Sequence, residues 1–304
     1  MAKHKLAKSH LIYALSPDVD PALRVQSGDT VEIETCDCFE DQIQDETQDF
    51  GTLDWNRINP ATGPIYIEGA EPGDLLVVDI LAIELAERGV MTTGPGLGVL
   101  GDELQHNAIR MIPIDNGHAV FAERLRLPLR PMIGVIGTAP KDNAIPCGTP
   151  GDHGGNMDCT RIGPGARLLL PVNVQGALFA LGDLHAAMGD GEVGVSGIEI
   201  AGKVTVSLHV WKGSAWPYPM LIDHEHVMTI ASAETLDAAA ERAVKQMAGL
   251  LVRETGIAPA DAVMLMSAAA NLRVCQVVDP LKTARVELPK NLAEQLELKL
   301  PVFG

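Results

Sequence analysis

The sequence predicts a mainly β protein with a smaller α/β part: a β-sandwich or barrel-like body carrying two helices near its C-terminus. Three observations predict it. Over the first two-thirds, short apolar runs alternate with polar residues at the period of a half-buried strand. Turn residues recur between those runs throughout 51–203, the spacing of a sandwich or barrel. After residue 229 the apolar period lengthens to that of an amphipathic helix.

The elements follow in order. "SGDTVEIET" (27–35) opens on the turn-forming pair Gly28–Asp29, then sets Val31 and Ile33 against Glu32 and Glu34. "EPGDLLVVDILAIEL" (71–85) repeats the device, with Pro72, Gly73 and Asp74 making the turn. "GKVTVSLHVWKG" (202–213) alternates Val204, Val206, Leu208 and Val210 against Thr205, Ser207, His209 and Trp211. Leu168–Leu170 and Ala177–Leu181 read as buried strands that double back on each other. "TLDAAAERAVKQMAGLLVRETG" places Leu236, Ala240, Val244, Met247 and Leu251 on one stripe, with Thr235 as N-cap and Gly256 as stop. "APADAVMLMSAAAN" has Pro259 at a helix start and an apolar body, so a second, buried helix is expected, with Met264 and Met266 in the core. "LRVCQVVD" returns to strand. No repeat, low-complexity tract or long linker interrupts the chain, so one compact domain over 1–304 is expected, divisible into β-rich subdomains of about 1–145 and 146–304.

Charge narrows the function classes. Lys and Arg number 23 against 40 Asp and Glu, a net −17 among 304 residues. Such a surface repels phosphate backbones and anionic membranes, which argues against nucleic-acid or membrane partners. No apolar run approaches the ~20 residues of a membrane span, and Leu11–Leu15 is too short for a secretory core. Five cysteines without an export signal read as free thiols in a reducing cytoplasm.

Two polar clusters carry the chemistry. "GTPGDHGGNMDCTR" (148–161) holds Asp152, His153, Gly154, Gly155 and Asn156 in a stretch with almost nothing to fill a core. "GDLHAAMGDGEV" (182–193) holds Asp183, His185, Asp190 and Glu192. The apolar strands between them let the clusters meet at strand ends, where sites are commonly built. Asp183 and His185, one residue apart, project to the same side of a strand. With His153 and Asp152 they are expected to ligate one divalent cation, and oxygen with nitrogen donors suits zinc. Asp37 ends the strand 27–35 and has Gln42 nearby, so both are candidate site residues. Cys36-Asp37-Cys38 has the form of a C-x-C clip, but no second clip accompanies it. "NPATGP" (59–64) is a candidate wall of the same cleft. No phosphate loop, dinucleotide fingerprint, G-x-S-x-G elbow or H-E-x-x-H occurs.

Together these segments resemble the acetamidase/formamidase family. The resemblance is carried by "SGDTVEIETCD", "NPATGPIYIEGAEPGDLLVVDI", "PGDHGGNMD", "GDLHAAMGDGEVGVSGIEI" and "HEHVMTIASAETLDAAAERAV", with "LMSAAANLRVCQVVDP" and "VELPK" following in order. It implies hydrolysis of small aliphatic amides to carboxylate and ammonia on a β-rich fold. A homo-oligomer, most simply a dimer, is also implied, and the mean hydropathy of +0.12 agrees with it. Amide hydrolysis needs an activated nucleophile, a stabilised oxyanion and an acid for the departing ammonia. The expected roles are Glu192, Asp37 and His153 in catalysis, and Asn156, Gly154, Gly155 and Gln42 in substrate binding. A divalent metal on Asp183, His185, His153 and Asp152 would activate water. Three rivals accompany this reading: a carboxylate-only mechanism, thiol catalysis by Cys147 or Cys159, and a non-catalytic β-sandwich whose Asp-rich loops hold a structural calcium.

Overall fold

In the computed structural model, which describes residues 2–122 and 124–301, the strand Leu75–Leu85 runs between two antiparallel partners, Arg167–Pro171 and Gly202–Trp211. It divides the interior. Leu76, Val78 and Ile80 enter one core cluster, whereas Leu75 and Val77 enter another. Successive strand residues face opposite sides, so a run that is apolar at every position must be covered on both. Farther along, Leu81 is exposed because the outer cover has ended.

The strand belongs to a nine-stranded sheet in the order Lys3–Leu6, Thr30–Thr35, Gly202–Trp211, Leu75–Leu85, Arg167–Pro171, Met220–Ile222, His226–Ala233, Lys282–Pro289, Asn271–Gln276. A second sheet of eleven strands includes Ala61–Glu68, Arg88–Thr93, Met132–Gly137, Gly154–Asn156, Phe179–His185 and Glu199–Ile200. The larger core fills the space between the sheets. Val31, Ile33, Leu168 and Val206 meet Ile65, Ile133, Phe179, Leu184 and Ile200 there. On the outer face of the nine-stranded sheet lie α1 (Leu236–Thr255) and α2 (Pro259–Ala269), whose Met247, Leu250, Leu251, Ala262 and Met266 pack with Val77, Leu169, Val227 and Val286. The protein is therefore mainly β, with helices on one flank.

The termini of α1 are those its sequence signals. Thr235 accepts a hydrogen bond from the Ala238 amide at 3.2 Å, and Gly256 closes the helix at φ 72°. Its buried face is displaced from the expected stripe: Ala239, Ala243, Gln246, Met247, Leu250 and Leu251 are buried, while Val244 is 37% exposed. A stripe read from apolar residues alone cannot anticipate that the sheet takes in Gln246. The expectation of a buried α2 also needs correction. It docks through Ala262 and Met266, leaving Met264 61% exposed, because a helix apolar all round carries no periodic signal for its docked side. Among the described residues no helix is long and apolar enough to cross a membrane, and all five cysteines are free and buried.

Truncation separates the docked face of α1 from its outer face. Leu250→Ala is expected to cost about 2–5 kcal/mol in chemical denaturation, and Val244→Ser less than about 0.5 kcal/mol.

Candidate active site

Met132–Gly137 pairs with Phe179–His185 on one side and with Gly154–Asn156 on the other, so one strand brings both polar clusters to its flanks. Ile133 faces Leu184 and Val135 faces Gly182, and the regular pairing skips Gly134 and Asp183. A Cβ at position 134 would stand 2.5 Å from Asp158 Oδ1 and 2.5 Å from Asp183 Oδ2, so only glycine leaves room for the two carboxyls. Asp158, Asp183 and Glu192 lie at φ 43°, 55° and 47°. They are three of thirteen non-glycine residues at positive φ among the described residues, and here the strained backbone bears carboxyls that share one buried cluster.

The cluster centres on His185. Its Nε2 lies 3.1 Å from Glu199 Oε2, 3.5 Å from Asp183 Oδ1 and 3.9 Å from Asp158 Oδ1. None of these approaches forms a hydrogen bond. Both ring nitrogens of His185 are buried without a partner, as are carboxyl oxygens of Asp158, Asp183, Glu192, Glu199 and Asp279 and the Asn156 Oδ1. Each such atom costs on the order of 1–3 kcal/mol if nothing satisfies it. Two sets of ligand atoms gather within 4.8 Å of one another: Cys38, Asp183 and Glu199, and Asp158, His185 and Glu192. Carboxylate, imidazole and thiol donors in that density fit divalent cations.

Electrostatics point the same way. Burial, reinforced by Asp183, pushes Asp158 up to about 6. Burial also carries Glu199 to about 8. Glu192 and Asp279 stand well above the ordinary carboxylate range through burial and then the charge of Asp158. For His185 burial acts downward, but Glu199 and Asp183 outweigh it and hold the imidazole well above its usual value. The Cys38 thiol is raised by burial and then by Glu199. Protein groups alone leave the cluster holding protons that a bound cation would displace.

A cavity of about 120 Å³ opens onto this cluster. Asp183, Glu192, Glu199, Asn156 and Asp279 line its polar side, and Phe39, Trp55, Ile58 and Leu97 its apolar side. Asp158 and His185 sit behind the lining. Asn59 of the "NPATGP" stretch contributes to the wall, as does Cys38.

Of the residues expected from the sequence, Asp183, His185, Glu192 and Asn156 come together; the others do not. Asp152 is a correction: half exposed, it receives Arg242 Nη2 at 2.7 and 3.0 Å and tethers the glycine-rich loop to α1. His153 is a second. Gly154 faces Gly137 while His185 faces Met132, five residues along the central strand, a separation of roughly 16 Å at ~3.3 Å per residue. Its ring is buried beside Gly151 and Gly155, and burial lowers its pKa to about 4, so it is neutral. Asp37 Oδ1 accepts the amides of Phe39 at 2.9 Å and Asp41 at 2.8 Å and closes its own turn; burial pushes it up to about 6. Gln42 brackets the Asp54 backbone, accepting its N–H at 2.9 Å and donating to its carbonyl at 3.4 Å. Gly154 and Gly155, at φ 98° and 79°, let the chain press against Ile136 and Thr149 carbonyls and do not line the cavity. Cys147 and Cys159 are fully buried outside the lining, so neither thiol meets a molecule in the cavity; burial also pushes the Cys147 thiol to about 12, whereas a hydrogen bond with Cys275 lowers that of Cys159.

Sequence reasoning missed Asp158, Glu199, Asp279 and Cys38. Glu199 did carry a signal, an acid between Ile198 and Ile200 in a buried strand. Cys38 carries only the C-x-C pattern with no second clip, and its partners Asp183 and Glu199 are distant in sequence.

The neutral state of His153 predicts a pH effect on stability. Its folded pKa is lowered from 6.5 to about 4, so below pH 6.5 the unfolded chain takes up a proton that the folded one refuses. Stability therefore falls between pH 6.5 and 4, by up to about 3 kcal/mol from this residue. In urea titrations at pH 7.5 and 4.5, His153→Gln is expected to lose less stability on acidification than the parent protein.

Known proteins share this arrangement of chain and fold. The structure of an acetamidase from Bacillus halodurans is 51% identical, covers 96% of this chain and 99% of its own, and superposes with a TM-score of 0.95. That of a predicted acetamidase/formamidase from the thermophile Thermoanaerobacter tengcongensis is also 51% identical, covers 98% and 99%, and gives 0.96. A formamidase of Methylophilus methylotrophus is 27% identical over 266 residues, 66% of this chain and 64% of its own length. The chain spans 63–66% of the length of the curated relatives it matches. It matches the Acetamidase/Formamidase family over residues 3–146 and 141–295. The chain belongs to that family.

Proposed function

We propose that this protein hydrolyses small aliphatic amides, formamide or acetamide, to the carboxylate and ammonia, at a site that holds a divalent metal, zinc. The observation that carries the reading is the cavity of about 120 Å³, sized for a small neutral molecule, set against buried carboxylates and an imidazole whose polar atoms lack partners. Relatives named acetamidase or formamidase support the reaction class. Each donor set adds one softer ligand to its carboxylates, Cys38 in the first and His185 in the second, which favours zinc over calcium.

A cation bound there would polarise the amide carbonyl and make a water more acidic. The chain's own residues supply the rest. Asn156 presents an unpartnered Oδ1, able to accept an N–H of the substrate and orient it. Glu192 lines the cavity, where burial and the charge of Asp158 raise its pKa, and it is placed to pass a proton to the departing ammonia. Asp183 and Glu199 would hold the cation through their carboxylate oxygens, Glu199 giving up its proton on binding. Exclusion of bulk water by Phe39, Ile58 and Leu97 strengthens each of these interactions.

A second reading keeps the cation and drops the catalysis: most donors are carboxylate oxygens, which also suit a structural calcium in a binding module. Ammonia release from formamide, acetamide and propionamide separates the two. A binding module gives none.

The homodimer and the cytoplasmic setting belong to the same proposal. The strand Leu125–Pro128 ends the eleven-stranded sheet with all four residues exposed, and Leu125 and Leu127 offer apolar side chains for a partner edge. Five free thiols suit a reducing compartment. Light scattering is expected to give twice the chain mass of 32.3 kDa.

Two substitutions test the site. Asp183→Asn and His185→Ala are each expected to lower kcat/KM on acetamide by at least ~100-fold and to reduce zinc found by elemental analysis. Activity should decline stepwise from acetamide to butyramide, because one methylene changes discrimination by about 1–3 kcal/mol. Because the substrate is neutral, added salt should leave KM nearly unchanged. Unaltered metal content and rate in both variants would move the chemistry elsewhere.

A further inference from the structure

We infer that Trp55 is the specificity-determining residue of this site, the roof that limits how long an acyl chain the cavity accepts. The inference rests on the amidase reading above and adds a residue whose role nothing in that reading fixes. Trp55 opens a short 3-10 turn, Trp55–Arg57, that follows another, Phe50–Thr52. Its indole is 52% exposed yet lines the cavity that also touches Asp183, Glu192 and Glu199. A large aromatic left half uncovered beside a polar cavity has apolar surface still to bury, and the alkyl end of a substrate can cover it.

The cavity lining falls into two groups: Asp183 and Glu199 gather at His185, whereas Phe39, Ile58 and Leu97 belong to one hydrophobic cluster with Phe50, against which Trp55 packs. A neutral amide therefore lies with its carboxamide toward the acids and its alkyl group toward the indole. The roof is also held in place. Phe50 meets Trp55 edge-on with ring centres 6.0 Å apart. Gln42 grips the Asp54 backbone immediately before it, and Arg57, two residues after it, pairs with Glu40, which accepts the Tyr13 hydroxyl at 2.6 Å. Asp54 caps the turn by accepting the Asn56 amide at 3.0 Å. A wall clamped on both sides discriminates by length; a loose one would adapt.

The test measures kcat/KM for formamide, acetamide, propionamide, butyramide and hexanamide with the parent protein, Trp55→Ala and Gln42→Leu. Trp55→Ala should raise the butyramide-to-acetamide ratio by at least ~10-fold, with the acetamide loss appearing mainly in KM. Gln42→Leu keeps the indole and loosens its clamp, so it should shift the ratio in the same direction by less. Trp55→Leu gives the same comparison should Trp55→Ala not fold. An active parent protein whose ratio is unmoved by either Trp55 variant, or a uniform loss across the series, overturns this inference alone. No ammonia from any amide with the parent protein overturns the functional reading and this inference with it.

Discussion

Four carboxylic acids, Asp158, Asp183, Glu192 and Glu199, are buried around the single imidazole of His185. Like charges a few ångströms apart in a low-dielectric interior repel strongly, and burial adds a desolvation cost to each. Protons or cations must compensate. No hydrophobic packing would assemble such a group unaided, so the surrounding fold has to hold it against its own preference.

The fold meets that demand with rigid strands and strained backbone. Met132–Gly137 lies between the two polar clusters, and Gly134 leaves the space in which the Asp158 and Asp183 carboxyls meet. Left-handed backbone at Asp183 turns a carboxyl inward from a strand whose neighbour Leu184 stays in the core between the sheets. The large core supplies the stability that such local strain consumes.

The segment bearing Glu192 is tied to the helix-backed sheet. Buried Arg285 donates to both oxygens of Asp190 at 3.0 and 2.7 Å, and Thr160 donates to the same carboxylate at 2.7 Å. Next in the chain, the Gly191 amide donates to the Cys275 carbonyl at 2.8 Å. The glycine-rich loop is anchored comparably by Asp152 and Arg242. Several residues whose chemistry invites a catalytic role thus serve as struts: Asp152, Asp37, Gln42 and Asp190.

By itself the sequence determined the β-rich class, the strands around 30–35, 75–85 and 202–211, the limits of α1, and the two segments that bear the site. Those features rest on local physics, namely the two-residue period of a strand, turn chemistry, and caps within three residues of their partners. Asp183 and His185 were legible because they are neighbours on one strand. Asp158, Glu199, Asp279 and Cys38 were not, because their shared chemistry depends on strand order and register, which join positions up to 241 residues apart in the chain. Only the tertiary structure decided that His153 falls some five residues along the central strand from His185, and that Asp152 turns outward to Arg242. The physical reason is that a polar residue in a glycine-rich loop can aim either way, and the direction is set by what packs against it.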